Sequence, residues 1–325
     1  MAMTQNEFRD NFVAFILTHG RADNVMTYKT ARKAGYTGRI VLVLDDEDEQ
    51  LEQYFAIYGK ENCYVFNKQK YIDTCDAIQK GDHRCILYAR NACFDIAQEL
   101  GYKYFIELDD DYVQMSFTFT NTGKVKQRSI NNLNFIWRRM LEYFISCPRM
   151  TCIAMAQRGD FVGGAANNML KQIGSKRKAM NTMICSVERR FEFKGRYNDD
   201  VNTYTRLSQQ GYIFLTLVQV AINQEQSQKN EGGMTEVYKA DGTYSKSFSS
   251  VVVCPSAVIT VDVDGNVPYC CHRPTDIVGH VLDINIMDKK KSHHVDMREC
   301  EKPCRLSGAN NYLESISYER DIDFI

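Results

Sequence analysis

The chain has no apolar run approaching the roughly 18 residues that a membrane-spanning helix needs. Its first ten residues, MAMTQNEFRD, are polar rather than a charged-then-apolar leader. The expectation is therefore a cytoplasmic protein with no membrane partner. A charge excess is also lacking: 40 Lys and Arg oppose 41 Asp and Glu, for a net charge of −1. No global field attracts polyanions, so nucleic-acid binding would need a local patch. A disulfide scaffold is excluded as well, because the 12 cysteines sit in a chain of 325 residues with no leader. Reduced thiols are expected. Cys63, Cys75, Cys85, Cys93, Cys147, Cys152 and Cys185 lie among apolar neighbours, where free cysteine behaves as a small hydrophobe.

What is present is an alternation of strand-like and helix-like segments. FVAFIL, from Phe12 to Leu17, is an unbroken apolar run of the kind buried on both faces of a parallel sheet. Helical spacing follows from Asn24 to Ala34, with Gly35 as a stop, and then a second strand in RIVLVLDDEDE. CYVFNK, at 63–68, reads as a third strand. ILYARNACFDIAQEL reads as a helix, Gly101 as its stop and KYFIEL as a fourth strand. Tyr112 to Thr122 reads as a further strand, SINNLNFIWRRMLEYFISCP as an amphipathic helix, MTCIAMAQ as a buried strand, and YIFLTLVQVAI as the last one after a helix starting near Asp199. Residues 157–182 and 223–248 are polar and Gly-rich, as long functional loops are. The fold class is α/β: a Rossmann-like, mostly parallel sheet whose ligand site lies at the carboxyl ends of its strands. A boundary near residue 250 separates a catalytic domain, 1–250, from a cysteine-rich module, 251–325.

Three strands end in polar signatures: THGR at 18–21, DDEDE at 45–49, and DDD at 109–111. Adjacent carboxylates repel, so such a run either sits in open water or holds a cation. For DDEDE the solvated reading is strong. For Asp109, Asp110 and Asp111 it is weaker, because IEL leads into them and FTF soon re-enters a strand. A D-x-D spacing lets two carboxylates flank Mn²⁺ or Mg²⁺, ions that favour oxygen ligands and leave positions open for phosphate.

This constellation resembles the GT-A glycosyltransferases. The successive blocks FILTHGRADNVMTYKTARKAGYTGRIVLVLDDEDE, YARNACFDIAQELGYKYFIELDDDY, GRYNDDVNTYTRLSQQGYIFLTLVQVAINQEQSQKNEGGMTEVY and GTYSKSF, over roughly residues 11–250, look like those of the phage DNA-base glycosyltransferases associated with base-oxidising dioxygenases. The resemblance implies a nucleotide-sugar donor such as UDP-glucose. Thr18, Gly20, Arg21, Asp45 and Asp46 would contact the nucleotide, and Arg90 and Asn91 the uridine or diphosphate. Arg90 is equally readable as a surface helix residue. Asp109 and Asp111 would bind the metal and Asp110 the ribose or sugar, although the triple run offers two registers. Asp199 or Asp200 would accept the acceptor's proton, with an N-cap as the plainer reading of that pair. Gly232 and Gly233 would let a loop approach the sugar or close over it.

The resemblance also implies an acceptor: DNA carrying a 5-hydroxymethylated pyrimidine. Residues 171–196 contain eight Lys or Arg against two Glu, enough for a phosphate-binding patch, though basic clusters are usually solvated faces. Phe161, Phe191, Phe193 or Tyr197 would stack on a flipped base. In the tail, Cys270, Cys271, Cys300 and Cys304, with Cys254 or His272 in reserve, suit Zn²⁺ or an iron–sulfur cluster. The segment looks like the cysteine-rich modules appended to radical-SAM enzymes, but the C-x₃-C-x₂-C core motif of those enzymes is absent. Competing readings are a glycosyltransferase for proteins or small molecules, a nucleotidyltransferase, and a non-catalytic nucleic-acid-binding module.

Overall fold

A computed structural model describes residues 3–75, 83–121, 124–158, 179, 181–225 and 249–254. The strands are β1 (Phe12–Leu17), β2 (Ile40–Asp45), β3 (Cys63–Phe66), β4 (Tyr104–Asp109), β5 (Tyr112–Asn121), β6 (Lys124–Ser129), β7 (Met150–Gln157), β8 (Thr182–Ser186) and β9 (Ile213–Gln224). The helices are α1 (Gln5–Asn11), α2 (Met26–Lys33), α3 (Leu51–Tyr58), α4 (Lys68–Thr74), α5 (Leu87–Glu99), α6 (Leu133–Ser146) and α7 (Asp199–Gln209). All strands join one sheet in the order β3-β2-β1-β4-β8-β7-β9-β5-β6.

The sheet has two characters. Strands β3, β2, β1 and β4 pair in parallel, as the all-apolar runs require, and β7 pairs in parallel with β9. Between them β8 runs antiparallel to both β4 and β7, and the hairpin β5–β6 adds antiparallel pairs at the far side. Alternation along β1 shows why both faces are covered. Phe12, Ala14 and Ile16 join one core with Trp137, Met140, Leu141 and Phe144 of α6. Val13, Phe15 and Leu17 join the other with Leu87, Phe94 and Ile96 of α5. Each core is a layer of helices on a two-sided sheet, the α/β architecture that the sequence pattern anticipates.

Four elements escape the periodicity reading. Helices α1, α3 and α4 span only 7, 8 and 7 residues, and TMICS, which forms β8, begins at the last residue of the 157–182 stretch that reads as a loop. The helix whose spacing starts at Asn24 begins at Met26, and α2 ends at Lys33, with Ala34 as its C-cap just before Gly35. The chain divides into two units, Met1–Ala240 and Asp241–Ile325. Of the second, only residues 249–254 are described, so Cys270, Cys271, Cys300 and Cys304 lie outside the described residues, as do Gly232 and Gly233. No helix among the described residues is long and apolar enough to cross a membrane.

Gly35 adopts φ +91°, and a Cβ there would collide with the backbone carbonyl oxygen of Asn131. Gly35→Ala is expected to lower unfolding free energy by at least ~1–2 kcal/mol in a denaturant titration. An unchanged midpoint would show that the turn relaxes freely.

Candidate active site

The chain order of the strands reverses between β1 and β4, and doubly wound sheets bind ligands in the crevice that such a switch opens. Leu17 pairs with Asp109 at the carboxyl ends of these strands, so THGR and DDD emerge side by side. Their side chains meet. Thr18 Oγ1 donates to Asp110 Oδ2 at 2.8 Å, and Arg21 Nη1 donates to Asp110 Oδ1 at 2.9 Å. Tyr54 of α3 lies 3.0 Å from the Thr18 hydroxyl and accepts from the Arg21 backbone N–H at 2.8 Å. Burial pushes Asp110 above the usual carboxylate range, with Arg21 and Thr18 opposing the shift.

The DDD backbone is clamped from both sides. Thr27 Oγ1, at the start of α2, donates to the Asp109 carbonyl at 2.6 Å and accepts from the Tyr112 N–H at 2.9 Å. The Tyr112 hydroxyl accepts from Asp109 N–H at 3.1 Å and donates to the Asn181 carbonyl at 2.5 Å. Asp111 takes a hydrogen bond from Gln224 Nε2 at 3.0 Å on Oδ2, while its Oδ1 is buried with no hydrogen-bond partner. Burial, with Asp109 adding repulsion, lifts Asp111 to about 7.

Arg90 occupies the centre of the cluster. On α5 and only 2% exposed, it lies 3.0 Å from Asp109 Oδ1 through Nη2 and 3.4 Å from Glu107 Oε2 through Nη1. Its Nε is 2.7 Å from Asp199 Oδ2 but misaligned for a hydrogen bond, so that contact is electrostatic. Phe193 lies 5.7 Å from the guanidinium. Burial opposes the arginine's charge, yet Asp199, Asp109 and Glu107 outweigh it and hold its pKa above the ordinary value. Burial dominates in the carboxylates too, raising Glu107 to about 8, Asp109 to about 6 and Asp199 to about 7 despite Arg90. Arg90 is thus an internal counter-ion rather than a surface residue.

Asn198, at φ 50°, turns the chain left-handed just before α7 and delivers Asp199 and Asp200 together at the helix start. Asp200 Oδ1 accepts from the Val201 N–H at 2.8 Å. At the end of β2, Asp45 lies 2.8 Å from His19 Nδ1 and 3.4 Å from Lys68 Nζ. The hydrogen bond to Asp45 raises His19, and although burial works the other way, His19 and Lys68 lower Asp45. Gly20 N–H donates to Asp48 Oδ2, and Asp46 Oδ1 accepts from the Lys68 N–H.

Thr18, Gly20, Arg21, Asp45, Arg90, Asp109, Asp110, Asp111, Asp199 and Asp200 therefore lie on the loops and helix starts at the carboxyl ends of β1, β2 and β4 or are tied to them. Asn91 is directed elsewhere: its Nδ2 donates to the Phe193 carbonyl and its Oδ1 accepts the Phe193 N–H, which commits the amide to holding that segment. Among the described residues no group of three or more His, Cys, Asp or Glu side chains is arranged to hold an ion. A cation at Asp109 and Asp111 would draw its other ligands from substrate.

The acceptor expectations need correction. Phe193 is fully buried, and Phe191 packs against Phe94, Phe193 and Phe214, so both belong to the core and not to a base-stacking surface. Tyr197 is also buried, and Phe161 lies outside the described residues. In the described part of the 171–196 stretch the cations are already engaged. Arg189 Nη1 donates to the carbonyls of Phe144, Cys147 and Met150, Arg190 pairs with Asp95, Lys194 with Glu192, and Arg196 donates to the Arg84 carbonyl. Sequence reasoning missed Glu107, Thr27, Tyr54, Asp48, Lys68 and Gln224; only the lone acid within the apolar run YFIEL was a local signal.

A doubly wound sheet with acidic side chains gathered at its switch point is a frame for binding a phosphorylated ligand, and the family follows from the sequence. The model of the TET-Associated Glycosyltransferase family matches residues 12–233, more than half of the chain, and the protein belongs to that family of glycosyltransferases. Comparison with curated proteins gives no match. Solved structures share a distant likeness. Glucosyl-3-phosphoglycerate synthase of M. tuberculosis aligns with TM-score 0.44 and 9% identity over 86% of this chain and 93% of that one. The same enzyme with Mn²⁺, UDP-glucose and phosphoglyceric acid gives 0.42 and 11% over 86% and 94%. S. aureus TarS 1-349 in complex with UDP gives 0.40 and 11% over 66% and 60%.

The elevated carboxylates fix the sign of a pH effect. Because Glu107, Asp109, Asp111 and Asp199 hold protons in the native state that the unfolded chain releases, stability falls as pH rises through about 6 to 8. In metal-free buffer the melting temperature is expected to drop from about pH 5.5 to about pH 8. Arg90→Met should cost about 3–5 kcal/mol at the upper pH, where it strands ionised carboxylates, and much less at the lower. Equal losses at both would show that Arg90 does not balance these charges.

Proposed function

We propose that the protein transfers a hexose from a nucleotide diphosphate sugar, UDP-glucose being the first candidate, to the hydroxyl of 5-hydroxymethyl pyrimidines in DNA. The observation that carries this reading is the position of Asp109, Asp110 and Asp111 at the end of β4, against Thr18 and Arg21 at the switch point. The family supports the transfer, and its association with base oxidation, which leaves a hydroxymethyl group, supports the acceptor. Such an enzyme works in the cytoplasm, on host or phage DNA.

The donor set at Asp109 and Asp111 fits Mn²⁺ or Mg²⁺: both offer hard oxygen atoms, and Asp111 Oδ1 is a buried acceptor lacking a partner. A divalent ion held there would neutralise the departing diphosphate. Asp110, held by Thr18 and Arg21, orders the donor loop, and Asp45 with His19 and Lys68 faces the nucleotide. Asp199 is drawn to Arg90, which leaves Asp200 as the base. Asp200 takes the proton from the hydroxymethyl oxygen as that oxygen bonds to the anomeric carbon, and the bond to the β-phosphate oxygen breaks to release the nucleoside diphosphate. Gly232 and Gly233, outside the described residues, would let the chain approach the sugar or close over it.

Incubation with UDP-glucose, Mn²⁺ and DNA containing hydroxymethylcytosine or hydroxymethyluracil, followed by digestion to nucleosides and mass spectrometry, is expected to show a hexose adduct. Asp200→Asn should lower kcat about 10²–10⁴-fold, and Asp109→Asn should abolish Mn²⁺ binding together with turnover. Absence of any adduct with several donors and both bases would refute the DNA acceptor.

For the tail we propose that Cys270, Cys271, Cys300 and Cys304 bind a structural Zn²⁺ or an iron–sulfur cluster, a reading supported by their spacing. Elemental analysis of purified protein is expected to find zinc or iron, with less in Cys300→Ser. A metal content indifferent to that substitution would place the metal elsewhere.

A further inference from the structure

The hairpin β5–β6 starts directly after Asp111, and between Tyr112 and Ser129 the chain contains no Asp or Glu. Its pairing places Phe117 opposite Arg128, Phe119 opposite Lys126, and Asn121 opposite Lys124. Directly opposed residues of an antiparallel pair share a face, and residues two apart along a strand share it too. Phe117, Phe119, Lys124, Lys126 and Arg128 therefore lie on one face. The exposure pattern agrees: Phe117 and Phe119 are 36% and 41% exposed and the three cations are exposed, whereas Ser116 and Thr118, on the opposite face, are buried.

Lysines on β6 have an ordinary use, since β6 closes the sheet order and cations on an edge strand discourage pairing with another chain. That use accounts for the charge but not for the rings. Phe117 and Phe119 sit on the inner strand of the hairpin, where a large apolar side chain left in water lowers neither edge pairing nor folding free energy. Two exposed rings beside three cations with no carboxylate on either strand match what an unpaired nucleic-acid strand requires, namely π faces for its bases and positive charge for its phosphates.

We propose that the β5–β6 face is the docking platform for single-stranded DNA flanking the base being modified. This rests on the DNA acceptor proposed above and identifies the surface that receives it. The geometry suits the task. At ~3.4 Å per residue along an antiparallel strand, Phe117 stands ~20 Å from Asp111, so a strand running from the site along β5 crosses both rings within a few nucleotides. The engaged cations of residues 189–196 leave this hairpin as a basic, aromatic-bearing face among the described residues.

The test uses fluorescence anisotropy with a labelled oligonucleotide of about 20 nucleotides carrying one hydroxymethylated base, long enough to span such a site. The full-length protein is compared with a Lys124→Gln/Lys126→Gln/Arg128→Gln variant and a Phe117→Ser/Phe119→Ser variant. Neutralising three cations is expected to flatten the slope of log K against log salt by roughly 2, at about 0.7 per phosphate contact on single strands. Removing the rings should weaken binding about fivefold or more per ring with the salt slope unchanged. Both variants should retain the melting temperature and the acceptor-independent hydrolysis of UDP-glucose.

Wild-type affinity, salt slope and KM for DNA retained in both variants would overturn the platform while leaving the transfer reaction standing. A change only in sedimentation, with DNA binding intact, would do the same by showing the face to join two copies. If wild-type protein binds the strand through these residues but transfers no hexose, the platform stands and the acceptor assignment falls. A wild type that neither binds nor transfers sinks both.

Discussion

Arg90 brings a single positive charge into a region where Glu107, Asp109 and Asp199 all lie within 3.4 Å of its guanidinium nitrogens. Three carboxylates against one cation leave a buried negative excess, and removing such groups from water is costly unless they pair or take up protons. Here both occur, as the upward displacement of all three acids shows. The same excess gives the site its capacity to accept a cation, because a divalent ion would complete the neutralisation that Arg90 begins. One side chain on α5 thereby ties the end of β4 to the start of α7, the two places where the chemistry is expected.

Around that centre the backbone leaves little freedom. Thr27 and Tyr112 each satisfy groups on two sides of the DDD turn, so the peptide units of Asp109 to Tyr112 are fixed by neighbours from α2 and from the segment entering β8. Asp110 is fixed from the β1 side by Thr18 and Arg21. Three consecutive acids consequently point to three different sets of partners. The repulsion expected of a bare acidic run is spread over an arginine on either side and an amide, an arrangement whose parts come from four different elements.

The sequence revealed the strands whose both faces are buried, because FVAFIL is apolar at every position and IVLVLD at every position but the last. It also revealed DDD as the acidic end of a strand. It hid the short helices, which lack the length for periodicity to register, and β8, whose five buried residues follow a basic tract. It misassigned Arg189, whose charge marks a basic cluster in the sequence but caps the carboxyl end of α6 in space. Phe191 and Phe193 beside those arginines read as a nucleic-acid face for the same reason. Partners such as Gln224 for Asp111, far apart along the chain, leave no local pattern at all.

Gln224 also explains how the site tolerates its surroundings. Gln157 ends β7, Asn181 precedes β8 and Gln224 ends β9, and the first two both direct amide nitrogens at Gln224 Oε1, 3.4 Å away, while Gln224 Nε2 reaches Asp111. A displacement of any one of these strand ends is therefore taken up between three amides before it reaches the Asp111 carboxylate.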